Sequence, residues 1–416
     1  MSQAEEIGAW VGIDWADKEH RVVLEEAASG RRVSMAVGQS AEELHEWLSG
    51  LQSRYTGRRV AMALEQSRGA LFYALSRYEF IDLYPVNPKT LASYRDALRP
   101  SGAKDDPDDA ALVLELLLRH GDRLRLWKAD DARTRQLRLL VEYRRKLVDD
   151  RTALLNQLTQ LLKESFPQAL RWAGGLDTKQ AFDFLLRWPT LAAVRQARTQ
   201  QLRTFYRTHY HSAEHIEKQI DAIRTAVPLI DDQAIVAACS TMIIAIAGQL
   251  RVLRESIAQF DRSIDELFAH HQDASIFQSF PNAGAVLAPR LAVAFGTDRD
   301  RYSAAVEVAQ WSGIAPVTRR SGGSMVVCTR WACAKFLKQT FHEYARVSIA
   351  ASPWARAFYD QQRLRGATHH AAVRALAYRW IRIMFRCWKD RVPYHEVTYQ
   401  QALRRRGSPL VGRLAA

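Results

Sequence analysis

Leu140, Leu147, Leu154 and Leu161 recur at strict seven-residue spacing, with Val141, Val148, Leu155 and Leu162 alongside. A repeat sustained over about four heptads demands one long helix whose apolar stripe must be covered by another helix. Pro167 ends the run. A second long helical pattern, "AIVAACSTMIIAIAGQLRVLRESIAQFDRSIDELFAHH" from Ala234 to His271, is able to return along the first. An antiparallel hairpin within one chain and association between chains both satisfy the pattern. Either way, a helical coiled-coil linker with an insert, residues 128–271, divides the 416-residue chain into three parts.

The part before it, residues 8–127, alternates strand and helix signals. "AWVGID" reads as a buried strand, and "HRVVLEEA" and "RRVSMAVG" as its hairpin partners across Ser29–Gly30. "AEELHEWLSGL" is an amphipathic helix. "RRVAMALE" and "FIDLYPV" are strands, with the helix "LFYALSRY" between them, and "PKTLASYRDAL" and "PDDAALVLELLLRH" are helices. The order β-β-β-α-β-α-β-α predicts a mixed sheet with helices on its faces. In residues 272–390, "SIFQSFPNAGAVLAPRLAVAFG" reads as helix, tight turn, helix, "RRSGGSMVV" as a Gly-rich loop, and the remainder as mostly helical. Residues 391–416 form a basic tail whose end, "RRRGSPLVGRLAA", is expected to be disordered and attracted to polyanions.

Composition narrows the function classes. No signal peptide is apparent in "MSQAEEIGAW", and the longest apolar run, Ala234 to Gly248, is too short for a membrane span, so no membrane association is expected. Cys239, Cys328, Cys333 and Cys387 lack zinc-site spacing and read as free, mostly buried thiols of a reducing cytoplasm. His369–His370 has no acid or cysteine at ligand spacing and reads as surface or as a nucleic-acid contact. The net charge of +14 is localised: Val317 onward holds 19 Lys and Arg against four acids, so the preceding 316 residues sum to −1. Trp331, Trp354, Trp380 and Trp388 are interleaved with that charge, a pattern that suggests phosphate contacts combined with base stacking.

Acids fall at informative places. Asp14 ends the first apolar strand and Glu65 ends "VAMALE", the strand-end positions where functional groups of α/β sheets collect. In "KDDPDDA", Pro107 suits the first helical position, which makes Asp106 the N-cap and Asp109 the N3 residue. Such a cap needs no function. The same spacing also aims two carboxylates at one point, in a strand order that is that of a ribonuclease-H-like sheet. Oxygen-only ligands suit Mg²⁺.

In this order, "VGIDWADKEH", "ALEQSRG" and "AKDDPDDAALV" resemble the DEDD-motif transposases of insertion sequences related to the Piv DNA invertases. "SFPNAGAVLAPRLAVAFG" and "AQWSGIAPVTRRSGG" resemble the C-terminal serine transposase domain of that family. The resemblance spans about residues 8–390. It implies a RuvC-like, ribonuclease-H-like α/β N-terminal domain, a long helical coiled coil and a mostly α C-terminal domain. It implies Asp14, Glu65, Asp106 and Asp109 as catalytic Mg²⁺ ligands. Lys104, Asp106, Asp109 and Ala110 match the family's Lys-Thr-Asp-x-x-Asp-Ala block, while Asp105 replaces its Thr, so Asp105 or Asp108 is an alternative register. It implies Ser321 as nucleophile, with Arg319, Arg320, Gly322, Gly323, Arg330, Lys335 and Lys338 at the nucleic acid. Asn282-Ala283-Gly284 stands where the family has Gly-x-Gly, and "CTRWACAKFLKQ" keeps the basic residues of the family's Lys/Arg-Gly-Asn segment without its Gly-Asn.

The function so implied is a DNA transposase or recombinase in the prokaryotic cytoplasm, nucleoid-associated and working as a homo-oligomer, a dimer or tetramer. It would cut and exchange strands through a phosphoserine intermediate, guided by an element-encoded structured RNA. A RuvC-type junction nuclease with a structural Ser321 is the second reading, and a non-enzymatic nucleic-acid-binding scaffold the third.

Overall fold

The structure, a computed structural model, describes residues 7–65, 69–98, 106–209, 211–410 and 412. The chain divides into two compact units at Asp130/Asp131.

The first unit contains β1 (Ile7–Asp14), β2 (Glu19–Glu26), β3 (Arg32–Gly38), α1 (Ala41–Arg54), β4 (Arg59–Leu64), α2 (Ala70–Leu75), β5 (Ile81–Pro85), α3 (Pro88–Leu98) and α4 (Asp106–His120). The sheet order is β3-β2-β1-β4-β5, with β1–β2 and β2–β3 antiparallel and β1–β4 and β4–β5 parallel. This is the expected ribonuclease-H-like order. Alternation along the strands sorts the core into two layers. Ala9, Val11, Ile13, Val60, Met62 and Leu64 pack with Leu44, Leu48, Leu71 and Phe72 of α1 and α2. Ala61 and Ala63 pack with Leu112, Val113 and Leu116 of α4 on the opposite face. β4, buried on both faces, accordingly reads as a continuous apolar run.

The second unit is built on a hairpin of two long helices, α5 (Ala132–Ser165) and α11 (Gln233–Ala269). They run antiparallel within one chain. Arg144 near the middle of α5 pairs with Asp261 at 2.8 Å, and Thr134 at its start meets His271 just past α11 at 3.0 Å. Asp131 caps α5 by accepting from the Thr134 N–H at 3.0 Å. The buried positions of α5 are Thr134, Leu137, Val141, Leu158 and Leu162. The seven-residue row Leu140, Leu147, Leu154, Leu161 is half-buried along the flank. Adjacent helical residues differ by about 100°, so the leucines lie one position off the seam. Between the apolar ends the seam turns polar, at Arg144 and Arg151.

At one end of the hairpin, Leu158, Leu162, Ile243 and Ile246 share a core with the insert helices α6 (Ala169–Trp172), α7 (Lys179–Arg187), α8 (Leu191–Gln196), α9 (Thr199–Thr208) and α10 (Ala213–Thr225). At the other end, Leu137, Val141, Ile264 and Phe268 share the largest core with the C-terminal elements. These are α12 (Ala274–Gln278), α13 (Gly284–Phe295), α14 (Ala305–Trp311), α15 (Lys335–Ala351), α16 (Pro353–Leu364), α17 (His369–Asp390) and α18 (Glu396–Arg405), while the short strands β6 (Val317–Ser321) and β7 (Ser324–Cys328), between α14 and α15, contribute no buried residue to it among the described residues.

Several expectations change. "RRSGGSMVV" is not a loop but a β-hairpin, β6–β7, with Ser321 opposite Ser324 and a two-residue Gly322–Gly323 turn. Gly322 takes φ 55°, the positive value that the first turn position of a type II′ hairpin requires and glycine supplies freely. Residues 391–416 are not simply a tail: they include α18, and Leu403 and Leu410 are buried. Only Cys239 of the four free thiols is buried; the others are half-buried. The run Ala234–Gly248 belongs to a helix that is, by length and composition alone, long and apolar enough to cross a membrane. Here that helix is one arm of the hairpin. Its outer side exposes Ile235, Met242, Ile244 and Val252.

The aromatics interleaved with the basic charge are mostly core. Trp354, Trp380 and Trp388 are completely buried, and each indole N–H finds an acceptor at 2.8 Å: the Tyr394 hydroxyl, Ser348 Oγ and the Gly296 carbonyl. Such partners let an indole be buried without an orphaned donor. Trp331 alone of the four is exposed.

Candidate active site

In the first unit, β1 and β4 are parallel neighbours with Ile13 opposite Leu64. The next residues along the two strands are Asp14 and Glu65. Their backbones are therefore about 5 Å apart, the spacing of adjacent strands. Ile13 and Leu64 both point into the α1/α2 layer. One residue further, alternation turns Asp14 and Glu65 toward the α4 face. Both are half-buried. Asp17 lies in the exposed turn after β1.

Gly12 sets the position of α4. A Cβ on Gly12 would run into the Ala110 carbonyl oxygen and the Leu114 backbone. The helix therefore lies directly on β1, and only glycine permits that approach. Ala110 opens the second turn of α4 and lies against Gly12, so the first turn of the helix sits beside the C-terminal half of β1.

That turn carries Asp109, which is buried. Its two carboxylate oxygens accept from Arg95 of α3, Nε to Oδ1 at 2.9 Å and Nη2 to Oδ2 at 2.6 Å. Sequence reasoning assigned Asp109 to a metal and missed Arg95. The only available hint was a basic residue in the helix preceding the acidic run. Asp106 begins α4, but its side chain and that of Asp108 lie outside the described residues, as does Asp105 altogether.

The donor chemistry fits a hard divalent cation in part. Asp14 and Glu65 are oxygen ligands on one face, as Mg²⁺ prefers, and Asp109 keeps spare acceptor lone pairs beyond those engaged by Arg95. Among the described residues no group of three or more His, Cys, Asp or Glu side chains is placed to hold a metal. Of the candidate ligands, Asp14 and Glu65 are the two that the described residues bring side by side.

In the second unit, the β6–β7 ribbon carries Ser321 exposed at its tip. Ser321 pairs with Ser324 and Arg320 with Met325, so alternation places the Arg320 side chain on the opposite ribbon face from Ser321. Arg320 is exposed, and Gly322 and Gly323 have open space around them. At the far end of the ribbon, Lys338 Nζ donates to the Arg330 carbonyl at 3.0 Å and lies 5.8 Å from the Trp331 ring centroid. Lys335 begins α15. Between Glu307 and Glu343 the chain has five Lys and Arg and no acid. Glu343 itself is used internally, accepting from buried Arg290 at 2.6 Å and from Arg145 at 3.0 Å. His369 and His370 are exposed, with His369 Nδ1 2.8 Å from the Tyr359 hydroxyl.

Residues 11–167 match a family model described as a transposase, and residues 274–360 match one described as a transposase of the IS116/IS110/IS902 family. The chain is also similar along nearly its whole length to proteins of bacterial insertion elements. It is 27% identical to the IS117 mini-circle protein of Streptomyces coelicolor, covering 92% of this chain and 95% of the relative. Identity to the IS900 42 kDa protein of Mycobacterium paratuberculosis is 27%, covering 94% and 98%. Identity to the IS110 43.6 kDa protein of Streptomyces coelicolor is 26%, covering 94% and 96%.

Proposed function

We propose that this chain, which matches transposase models of the IS110/IS116/IS902 family over residues 11–167 and 274–360, moves its element by Mg²⁺-dependent cleavage and exchange of DNA strands through a phosphoserine intermediate. The observation that carries the metal half is the β1–β4 register, which seats Asp14 and Glu65 side by side facing the α4 layer. Asp14 and Glu65, with the α4 acids Asp106 and Asp109, are the residues that would hold Mg²⁺. When bound, the cation would polarise the scissile phosphate and neutralise charge on it.

The covalent half rests on Ser321. Its hydroxyl oxygen forms a bond to the scissile phosphorus, and the bond from phosphorus to the DNA 3′-oxygen breaks. The serine proton leaves and the 3′-oxygen departs as a hydroxyl. A DNA 3′-hydroxyl then attacks the phosphoserine and restores Ser321. One P–O bond replaces another in each step, so no external energy source enters. Serine is a weak nucleophile without a base or a positive environment. The acid-free segment containing Arg319, Arg320, Arg330, Lys335 and Lys338 supplies positive charge for phosphates, and Gly322–Gly323 lets a backbone approach closely.

The same reading includes a structured guide RNA as a second polyanion for the basic C-terminal segment, and a location with the DNA in the bacterial cytoplasm. It includes a homo-oligomer, a dimer or tetramer, supported by the exposed apolar side of α11.

Ser321→Ala discriminates among the readings. Purified protein incubated with element-end DNA and Mg²⁺ should yield a denaturant-stable protein–DNA adduct that this variant loses along with strand exchange. A variant that still cleaves would favour a RuvC-type nuclease. Unimpaired activity in Asp14→Asn or Glu65→Gln would reduce the acids to structural residues of a binding scaffold.

A further inference from the structure

Trp331 is 87% exposed, in a chain that buries Trp354, Trp380 and Trp388 completely. The backbone beneath it is nonetheless held. Cys333 Sγ donates to the Arg330 carbonyl at 3.8 Å and to the Trp331 carbonyl at 3.7 Å, and Lys338 Nζ donates to the Arg330 carbonyl at 3.0 Å. The Cys333 side chain fills the space where Gly313 would carry a Cβ, and Gly313 takes φ 72°, which ties this turn to the end of α14. An indole kept open to water on an anchored turn is costly unless something covers it, because its apolar faces gain from leaving water.

The surroundings select the occupant. Lys338 lies within cation–π range of the ring. Arg330 and Lys335 flank the turn in sequence, and no acid occurs between Glu307 and Glu343. A flat aromatic face with Lys338 beside it, in an acid-free basic stretch of sequence, complements a base attached to phosphates. Its charge attracts polyanions and repels basic protein surfaces, and the stacking face adds nothing toward a fully paired duplex, whose bases are already stacked. β6–β7 registers Val317 with Cys328 and Ser321 with Ser324, so Trp331 lies beyond the opposite end of the ribbon from the serine, more than about 13 Å away along four strand residues.

We propose that Trp331 is a stacking platform for an unpaired nucleobase, with Lys338, Arg330 and Lys335 gripping the adjoining phosphates. This deepens the nucleic-acid reading above and rests on it. The platform holds a melted base of the DNA end or a loop base of RNA at a fixed distance from the strand joined to Ser321. It is a binding contact, remote from the reacting atoms.

The test uses the full chain and its Trp331→Ala and Trp331→Phe variants. Probes are single-stranded DNA and RNA oligonucleotides containing 2-aminopurine, and a fully paired DNA duplex of the same length. Base–aromatic stacking of this kind predicts about tenfold weaker binding of the single strands by Trp331→Ala, loss of 2-aminopurine quenching, and recovery of both by Trp331→Phe. Duplex binding should stay within about twofold. The DNA and RNA arms then say which strand uses the platform. Equal weakening on duplex and single strands, or no change on either, overturns the platform while leaving the nucleic-acid reading intact. A fall in sedimentation mass caused by Trp331→Ala would overturn it in favour of a protein contact. Absence of binding to every probe by the unaltered chain would instead sink the nucleic-acid reading.

Discussion

Arg95 and Asp109 form a two-pronged ion pair between α3 and α4, 2.9 Å from Nε to Oδ1 and 2.6 Å from Nη2 to Oδ2, with both side chains largely removed from solvent. It holds one of the four candidate metal-binding acids in the first turn of α4. Truncating one partner of such a pair strands the other charge. Arg95→Ala should therefore lower the stability of the first unit by about 3 kcal/mol, read by urea unfolding. Arg95→Ala with Asp109→Asn should cost clearly less than the two single changes added together. Strict additivity would show that the pair is not coupled.

Gly12→Ala is expected to destabilise by about 2 kcal/mol, because the added methyl meets the Ala110 backbone and must push α4 off the sheet. Gly50→Ala is the control. Gly50 sits within α1 with open space where the methyl would go, so there the change should stabilise by about 0.5–1 kcal/mol. Thermal unfolding of both variants decides it. Equal behaviour would remove the close approach as the reason for Gly12.

Mg²⁺ should raise the unfolding midpoint of the unaltered chain, since a ligand that binds only the folded state stabilises by mass action. Asp14→Asn and Glu65→Gln should each abolish that rise without abolishing folding. A rise that persists in both variants would place the cation elsewhere.

Glu343 joins buried Arg290 to Arg145, linking α13, α15 and α5. Glu343→Gln removes the charge that compensates Arg290, whose guanidinium is pushed to lower pKa by burial and held up by Glu343. The expected loss is about 3 kcal/mol of stability in the second unit. A loss below about 1 kcal/mol would mean that Arg290 is solvated in some other way.

Below pH 6.5 the second unit should lose stability. Burial lowers the pKa of His271 from the ordinary 6.5; Asp273 and Asp131 oppose the shift, and Arg133 and Arg299 add to it. His271 Nδ1 accepts the Asp273 N–H at 3.1 Å, which requires the neutral ring. The unfolded chain takes up its proton near 6.5 while the folded chain resists, so stability present above that pH falls as pH drops through it, until the lowered folded pKa is reached. His271→Gln should flatten the slope of stability against pH between 5 and 6.5 by at most about 1.4 kcal/mol per pH unit. The half-buried His342, its pKa also lowered by desolvation, leaves a residual slope. An unchanged slope in His271→Gln would assign the whole effect to other groups.

Much of the first unit was legible because its signals are local. Strand alternation, the strand-end placement of Asp14 and Glu65, and a glycine inside the apolar run "WVGID" are all properties of short windows. The candidate serine was legible for the same reason, through the Gly-Gly pair after it. The β-hairpin around it was missed: β6 and β7 are short and almost wholly exposed, so they lack the half-buried alternation that marks most strands. The Arg95–Asp109 pair was invisible because it forms only once α3 lies against α4.

By itself the sequence determined the order of elements in the first unit, the long helix implied by the heptads, and the acids set at the ends of two strands, since each follows from backbone periodicity over a few residues. Only the tertiary structure decided that Asp14 and Glu65 are neighbours and that the buried stripe of α5 runs one position beside its leucines. It also decided that three tryptophans in the basic segment are core while Trp331 faces water. Those outcomes depend on which surfaces meet across long separations in the chain, and burial is a property of the packed pair, not of either segment alone.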